Sequence, residues 1–305
     1  MKILVIGGNG FIGSRLVIEL RDSGHSVRVV DHGEPRHDLD WSGVDYHRTS
    51  LSDRFALTRI FHGIDVICHC ASSTVPSTSN LDPVRDIEQN LIGAVNVLEA
   101  MRASNVRRIV YLSSGGTVYG NPRIVPVPEE HELSPISSYG VVKVAIEKYL
   151  LMYQALYGVE PVILRPSNPY GPGQMTSGLQ GLIGSFLGKL AEGSELPVWG
   201  DGEVVRDYLY IGDLVGLIRL AIERPTTGIF NVGSGTGCTV NEIISELRRV
   251  TGLEPQIRRM DGRSFDVGRV VLDITRAKQT FGWAPSVRLD EGLDLAWQWV
   301  RQRRS

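Results

Sequence analysis

Cysteine is scarce in this chain: three residues, an odd number, with Cys68 and Cys70 lying in the apolar run Val66-Ile67-Cys68-His69-Cys70. An odd, sparse set argues against a disulfide framework. Thiols inside a buried strand are also a simpler reading than metal ligands, so no metal site is expected. Long apolar runs are missing as well. None approaches the roughly 20 residues that span a bilayer. The opening Ile3-Leu4-Val5-Ile6 is too short for a secretory core. The net charge is only −2, which gives no electrostatic reason to expect nucleic acid or an anionic membrane surface as a partner. There is no internal repeat and no low-complexity linker. What remains is 305 residues of ordinary globular composition, 42% hydrophobic and 22% charged. That is enough for one large domain or two smaller ones, and the expectation is a cytoplasmic protein.

The first half alternates short β-branched runs with amphipathic stretches. Lys2–Ile6, Ser26–Val30, Val44–Arg48, Val66–Cys70, Arg108–Leu112 and Val162–Arg165 read as strands; Gly13–Ser23, Arg54–His62, Val84–Arg102 and Ser138–Tyr157 read as helices. Pro83 suits a first helical turn, where its missing N–H had no partner to lose. The alternation predicts an α/β fold with a doubly wound parallel sheet of the Rossmann type, covering residues 1–167. After Pro166 glycine and proline become frequent, as in Pro169-Tyr170-Gly171-Pro172-Gly173. Thr239-Val240-Asn241-Glu242 has capping-box spacing, and Gly282 can end a short helix, Thr275–Phe281. Residues 168–305 are therefore expected to form a smaller mixed α/β lobe, with some elements interleaved with the first domain.

Gly7-Gly8-Asn9-Gly10-Phe11-Ile12-Gly13 follows a strand pattern directly and opens a helix. Gly7, Gly10 and Gly13 supply a tight turn, close backbone approach to a pyrophosphate, and tight helix-on-sheet packing. The helix N-terminus offers N–H groups and a positive dipole end to phosphate. Asp31 stands at the end of the next strand, where a carboxylate can accept from an adenosine ribose 2′-hydroxyl and would repel a 2′-phosphate. NAD is thus the expected cofactor, rather than NADP.

Tyr139 and Lys143 form Y-x-x-x-K within a predicted helix, which puts both side chains on one face a turn apart. A free tyrosine has a pKa of about 10. A neighbouring ammonium, with the positive nicotinamide ring, would favour the phenolate and make Tyr139 a usable base. Alone, such a pair is more often a solvated helix surface; the glycine loop upstream changes that reading.

With these residues in hand, the sequence resembles the extended short-chain dehydrogenases/reductases, specifically the nucleotide-sugar epimerases and dehydratases. The resemblance rests on Gly7–Gly13, Asn90, Ser113–Gly120, Tyr139/Lys143, Arg165–Gly171, Gly200–Asp213 and Asp273–Trp283. It implies that Phe11 and Ile12 lie beside the pyrophosphate, that Ser50 and Leu51 lie near the adenine, and that Cys70-Ala71-Ser72 and Asn90 line the cofactor. Lys143 would bond the nicotinamide ribose. Asn168, Arg206 and Arg263 would touch the substrate diphosphate, two guanidiniums donating in bidentate fashion. Asp266 would reach the nucleotide ribose. The family's catalytic Ser/Thr falls on Gly115 here, so the hydroxyl must come from elsewhere. Thr117 is favoured, because two glycines before it let the turn bring it inward; Ser114 is the other candidate.

The resemblance also bears on the reaction. Sugar 4,6-dehydratases carry Thr-Asp-Glu where this chain reads Gly115-Gly116-Thr117, and decarboxylating relatives keep a Glu at the Thr117 position. Epimerisation at C4 needs no such carboxylate: Tyr139 takes the 4-hydroxyl proton, the hydride leaves to NAD, and it returns to the other face of the 4-keto sugar. The implied activity is 4-epimerisation of a UDP-sugar. Another epimerase or reductase of the superfamily, or a non-catalytic NAD-binding regulator, are the alternatives. In 4-epimerases a position four residues after the R-x-x-D aspartate gates the pocket by the sugar 2-position; here it is Val270, small enough to admit an N-acetyl group. Relatives pair helices equivalent to Val84–Arg102 and Ser138–Tyr157 into a homodimer, and these carry Ile87, Leu91, Val95, Ala145, Leu150 and Leu151.

Overall fold

The computed structural model describes residues 1–174, 176, 181–262 and 267–303. Among these residues the strands are β1 (Lys2–Ile6), β2 (Ser26–Asp31), β3 (Val44–Arg48), β4 (Val66–His69), β5 (Arg108–Leu112), β6 (Glu160–Pro166), β7 (Asn168–Tyr170), β8 (Leu196–Trp199), β9 (Val205–Tyr210), β10 (Gly228–Val232), β11 (Gly237–Thr239), β12 (Ile257–Met260) and β13 (Arg269–Val270). The chain divides into two compact units. The first comprises Met1–Val118, Ser137–Arg165 and Val215–Phe230; the second comprises Tyr119–Ile136, Pro166–Leu214 and Asn231–Ser305.

The first unit is built on a seven-stranded sheet in the order β10-β6-β5-β4-β1-β2-β3, and the pairings from β1 through β6 are parallel. This is the doubly wound order of a Rossmann fold, with the chain reversing direction between β1 and β4. Strands covered on both faces need near-continuous apolar sequence, and Ile3 through Ile6 and Val66 through His69 are all buried. Helices Phe11–Asp22, Arg54–Phe61 and Ser138–Tyr157 fall where the apolar periodicity puts them. The expected helix Val84–Arg102 is less regular. It opens at Pro83–Asp86, passes through a π-helical turn at Ile87–Ile92 and continues as Gly93–Ala103. Such a turn frequently marks a functional site, and Asn90 lies in it. The strand expected to include Cys70 ends at His69, with the Cys70 N–H still donating to the Ile6 carbonyl at 2.9 Å.

A charged pair is sealed into this unit. Arg165 on β6 and Glu147 on the helix Ser138–Tyr157 are 2% and 1% exposed. Arg165 donates from Nε to Oε1 at 3.0 Å and from its terminal nitrogen to Oε2 at 2.6 Å. Ser113 donates its hydroxyl to the same carboxylate at 2.5 Å.

The second unit contains β11-β9-β13, with β7 also on β9, and a separate β12-β8 pair. It is the mixed α/β lobe expected of the second half. Its core gathers Tyr170, Phe186, Leu187, Leu196, Ile243 and Trp297. The predicted capping box is present: Thr239 accepts from the Glu242 N–H at 3.0 Å, and Glu242 accepts from the Thr239 N–H at 2.7 Å.

Candidate active site

Open parallel sheets bind ligands at the carboxyl ends of the strands where the strand order reverses, here the ends of β1 and β4. The glycine loop leaves β1 there. Gly7 has φ +81°, and a Cβ on it would lie 2.7 Å from the Ala71 backbone, so only glycine lets the two strand ends meet. A Cβ on Gly13 would lie 2.0 Å from the Gly7 carbonyl, whereas one on Gly10 would meet nothing nearer than 3.4 Å. Internal packing therefore leaves open the side of Gly10 on which a pyrophosphate would approach. The helix Phe11–Asp22 has no side-chain cap and no acidic residue in its first turn, so its free N–H groups and dipole face an uncontested anion position. These residues fit a dinucleotide.

Asp31 is 9% exposed at the end of β2. Its carboxylate accepts from the Asn9 N–H and the Gly33 N–H, both at 3.0 Å. It thus fixes the glycine loop as well as standing where a ribose would be held. Ser50 is exposed and shares a 2.9 Å hydrogen bond with Ser52; Leu51 packs on the core of the first unit beside Gly93.

Beyond β4, Cys70 is half-buried with its sulfur 3.5 Å from that of Cys68. The resemblance puts Asn90 on the cofactor, but its side chain is committed to the protein. Oδ1 accepts from the Ser73 N–H at 2.9 Å and the Ser73 hydroxyl at 3.2 Å. Nδ2 donates to Thr74 Oγ1 at 3.0 Å and Asp86 Oδ1 at 2.8 Å. Asn90 shapes the loop that carries Ala71 and Ser72.

Tyr139 and Lys143 share one face of the helix Ser138–Tyr157. The Lys143 Nζ is buried, donates to the Leu112 carbonyl at 2.8 Å, and sits 5.0 Å from the Tyr111 ring and 5.4 Å from the Tyr139 ring. Burial pulls the ammonium down to about 8, against the attraction of Cys70, Asp86 and Glu147. The expectation that Lys143 lowers the Tyr139 phenol is not met by the chain on its own. Burial pushes the phenol up to about 12; a hydrogen bond with Ser72 works downward and the charge of Asp86 upward. The reason is geometric: Lys143 spends a hydrogen on a backbone carbonyl and meets the tyrosine through its ring.

Of the candidate hydroxyls, Thr117 Oγ1 is buried without a hydrogen-bond partner among the described residues. A buried polar atom in that state awaits a ligand or water. The Ser113 hydroxyl is consumed by Glu147, and Ser114 is half-buried. In the second unit, β7 and β9 bring Asn168 and Arg206 close together: Asn168 Nδ2 donates to the Asp207 carbonyl at 2.9 Å. Val270 is 2% exposed and lies opposite Arg206 in the β13–β9 register. Arg263 and Asp266 lie outside the described residues.

Comparison with known proteins places this geometry. The family model described as the NAD dependent epimerase/dehydratase family matches residues 3–233. The chain belongs to this family. It is 33% identical to the UDP-glucose 4-epimerase of Mycolicibacterium smegmatis, covering 99% of both chains. Its fold matches a crystal structure of UDP-glucose 4-epimerase from Thermotoga maritima with UDP-glucose, at TM-score 0.96 and 36% identity over 100% of both chains. It also matches the Thermus thermophilus UDP-glucose 4-epimerase in complex with NAD, at TM-score 0.93 and 34% identity over 99% of both.

As a member of the NAD dependent epimerase/dehydratase family, the chain has NAD as its cofactor. Sequence reasoning missed three groups around this family's site. His69 and Tyr111 meet edge to face at 5.6 Å, and their polar side-chain atoms are buried without partners among the described residues. Burial holds the imidazole neutral down to about 3. The only signal was a histidine within an otherwise apolar strand. Asp86, the third, reads in sequence as an ordinary polar helix residue, because two of its partners, Thr74 and Ser138, lie in other segments.

Proposed function

We propose that this chain interconverts the C4 epimers of UDP-sugars, UDP-glucose and UDP-galactose first, using NAD that stays bound. The observation that carries the reading is the Tyr139–Lys143 pair, its lysine buried, together with the partnerless Thr117 hydroxyl and the absence of any carboxylate at Gly115-Gly116-Thr117. That set can move a proton at a sugar hydroxyl and bind the sugar oxygen, but it offers no acid–base pair for eliminating water. NAD, when bound, would supply a reversible hydride acceptor and a positively charged ring. The glycine loop, Asp31 and Lys143 hold it, with Ser50, Leu51, Cys70, Ala71 and Ser72 lining the site. Tyr139 takes the proton of the 4-hydroxyl, and Thr117 donates to or accepts from the same oxygen. Arg206 and Asn168, with Arg263, grip the diphosphate; Asp266 holds the nucleotide ribose. Incubation with UDP-glucose, UDP-N-acetylglucosamine and UDP-glucuronic acid without added cofactor tests this. Epimers of the first two are expected; a requirement for added NAD(P)H would point instead to a reductase.

Val270 is the proposed gate beside the sugar 2-position. Being small, it admits an N-acetyl group. Val270→Tyr is expected to lose turnover of UDP-N-acetylgalactosamine while keeping that of UDP-galactose, read as the ratio of the two kcat/KM values. An unchanged ratio would remove Val270 from the pocket.

The proposed assembly is a cytoplasmic homodimer. Val84 (65% exposed), Ile87, Ile92, Val141, Met152 and Leu156 leave an apolar face on the two helical segments, which a second copy would cover. Leu150, expected on that face, is core instead at 1% exposure. Light scattering at micromolar concentration is expected to give twice the chain mass, and a single-chain mass would contradict the pairing.

A further inference from the structure

Asp86 is 0% exposed. A carboxylate is not buried in this way unless its lone pairs are taken, and three donors take them. Oδ1 accepts from Thr74 Oγ1 at 2.7 Å and from Asn90 Nδ2 at 2.8 Å; Oδ2 accepts from Ser138 Oγ at 2.7 Å. The donors come from three segments: the loop after β4, the π-helical turn, and the first residue of the helix that carries Tyr139. Two further bonds fasten the same helix start. The Tyr139 N–H donates to Ser79 Oγ at 3.1 Å, and the Ser138 N–H donates to Asn80 Oδ1 at 2.8 Å. Among the described residues, Asp86 has no ion-pair partner.

We propose that Asp86 is a positioning residue for the epimerisation: its buried carboxylate clamps the start of the Tyr139 helix to the Ser72–Thr74 loop and holds its charge at the residue next to Tyr139. The inference rests on the reading of Tyr139 as the base. The groups facing Tyr139 are few. Its own helix contributes Lys143 and Glu147, and Glu147 is engaged by Arg165 from β6. β4 contributes His69, the residue after it Cys70, and β5 contributes Tyr111. The segment before the π-helical turn contributes Asp86 and Arg85, and the turn itself Glu88; Arg85 and Glu88 are exposed to solvent. His69 stays neutral and Glu147 is paired with Arg165, so Asp86 is the carboxylate that acts on both Tyr139 and Lys143. A nearby negative charge disfavours the phenolate and favours the ammonium; Asp86 does both, opposing ionisation of Tyr139 and holding the proton on Lys143.

Removing the charge should therefore slide both limbs of the kcat–pH profile the same way. For Asp86→Asn in the NAD-loaded enzyme, both limbs are expected to move to lower pH by about one unit. Asp86→Glu, which keeps the charge, should restore them. A tyrosinate absorbance titration of the protein, with Tyr139→Phe as the reference, reads the same shift without turnover. It separates a failure of this inference from a failure of the epimerase reading. Lower turnover at every pH with both limbs in place would overturn the electrostatic role. Should Asp86→Asn not fold, Ser138→Ala carries the test, because it cuts the clamp and leaves the charge. Its kcat is expected to fall roughly tenfold with unchanged KM and unmoved limbs. A wild-type kcat in that variant would overturn the clamp.

Discussion

Tyr139→Phe is expected to lower turnover by about 10²–10⁴-fold, the usual cost of losing a general base. NAD should remain bound, because the glycine loop, Asp31 and Lys143 are untouched. The ring keeps its packing near the Lys143 ammonium, 5.4 Å from its centroid, so the fold should hold. Only the proton-accepting oxygen is gone. The burial that pushes the phenol up to about 12 means that an unaided chain holds Tyr139 protonated near neutrality. Activity should therefore rise with pH until the phenol is ionised in the loaded enzyme, and this rise should vanish in the phenylalanine variant. Thr117→Ala is the companion: it should slow the reaction more than Ser114→Ala, since Thr117 Oγ1 is the hydroxyl buried without a partner among the described residues. Near-normal turnover in Tyr139→Phe would remove the base from the mechanism.

Glu147→Leu is expected to cost about 3–5 kcal/mol of stability, the range found when one member of a buried ion pair is deleted. The reason is asymmetry. Arg165 is 2% exposed and delivers two of its donors to Glu147, and Ser113 delivers a third bond to the same carboxylate. Leucine fills the volume but accepts none of them, leaving buried donors to lose solvation without compensation. Glu147→Gln keeps the shape and one acceptor, and should cost less. The midpoint of urea unfolding, with the slope checked for constancy, reads both. A midpoint for Glu147→Leu equal to that of the wild type would show that the pair contributes nothing net. Because Glu147 lies one helical turn after Lys143, a loosened pair should also be felt in the kinetics.

The parts of this fold that could be read in the sequence are those whose causes are local. Apolar runs of β1 and β4, the glycine spacing of Gly7-Gly8-Asn9-Gly10-Phe11-Ile12-Gly13 and the Thr239–Glu242 capping box each depend on neighbours within a few residues, and each lies where the pattern puts it. The seventh sheet strand, β10, comes from far along the chain to pair beside β6, and its five residues carry no periodicity that distinguishes a sheet edge from a loop. The π-helical turn at Ile87–Ile92 was hidden for a different reason. Its residues keep an apolar helical pattern, and the extra residue in the turn serves the Asn90–Asp86–Thr74 bonding rather than core burial. Asp86 itself is polar in a helical run, which reads as a solvated face. Only the convergence of Thr74, Asn90 and Ser138 makes its burial tolerable. The electrostatics were the least legible. Spacing places Tyr139 and Lys143 on one face, but it cannot tell that Lys143 turns to the Leu112 carbonyl and that burial outweighs its effect on the phenol.

The fate of the hydrogen at C4 tests 4-epimerisation most directly. UDP-galactose carrying deuterium at C4 should be converted to UDP-glucose with no added cofactor. The label should be retained at C4 of the product, and no hydrogen should enter there from water, because the hydride leaves and returns within one active site. Loss of the label to solvent, or a failure to form UDP-glucose unless a reduced cofactor is supplied, would contradict the reading of this site as a 4-epimerase.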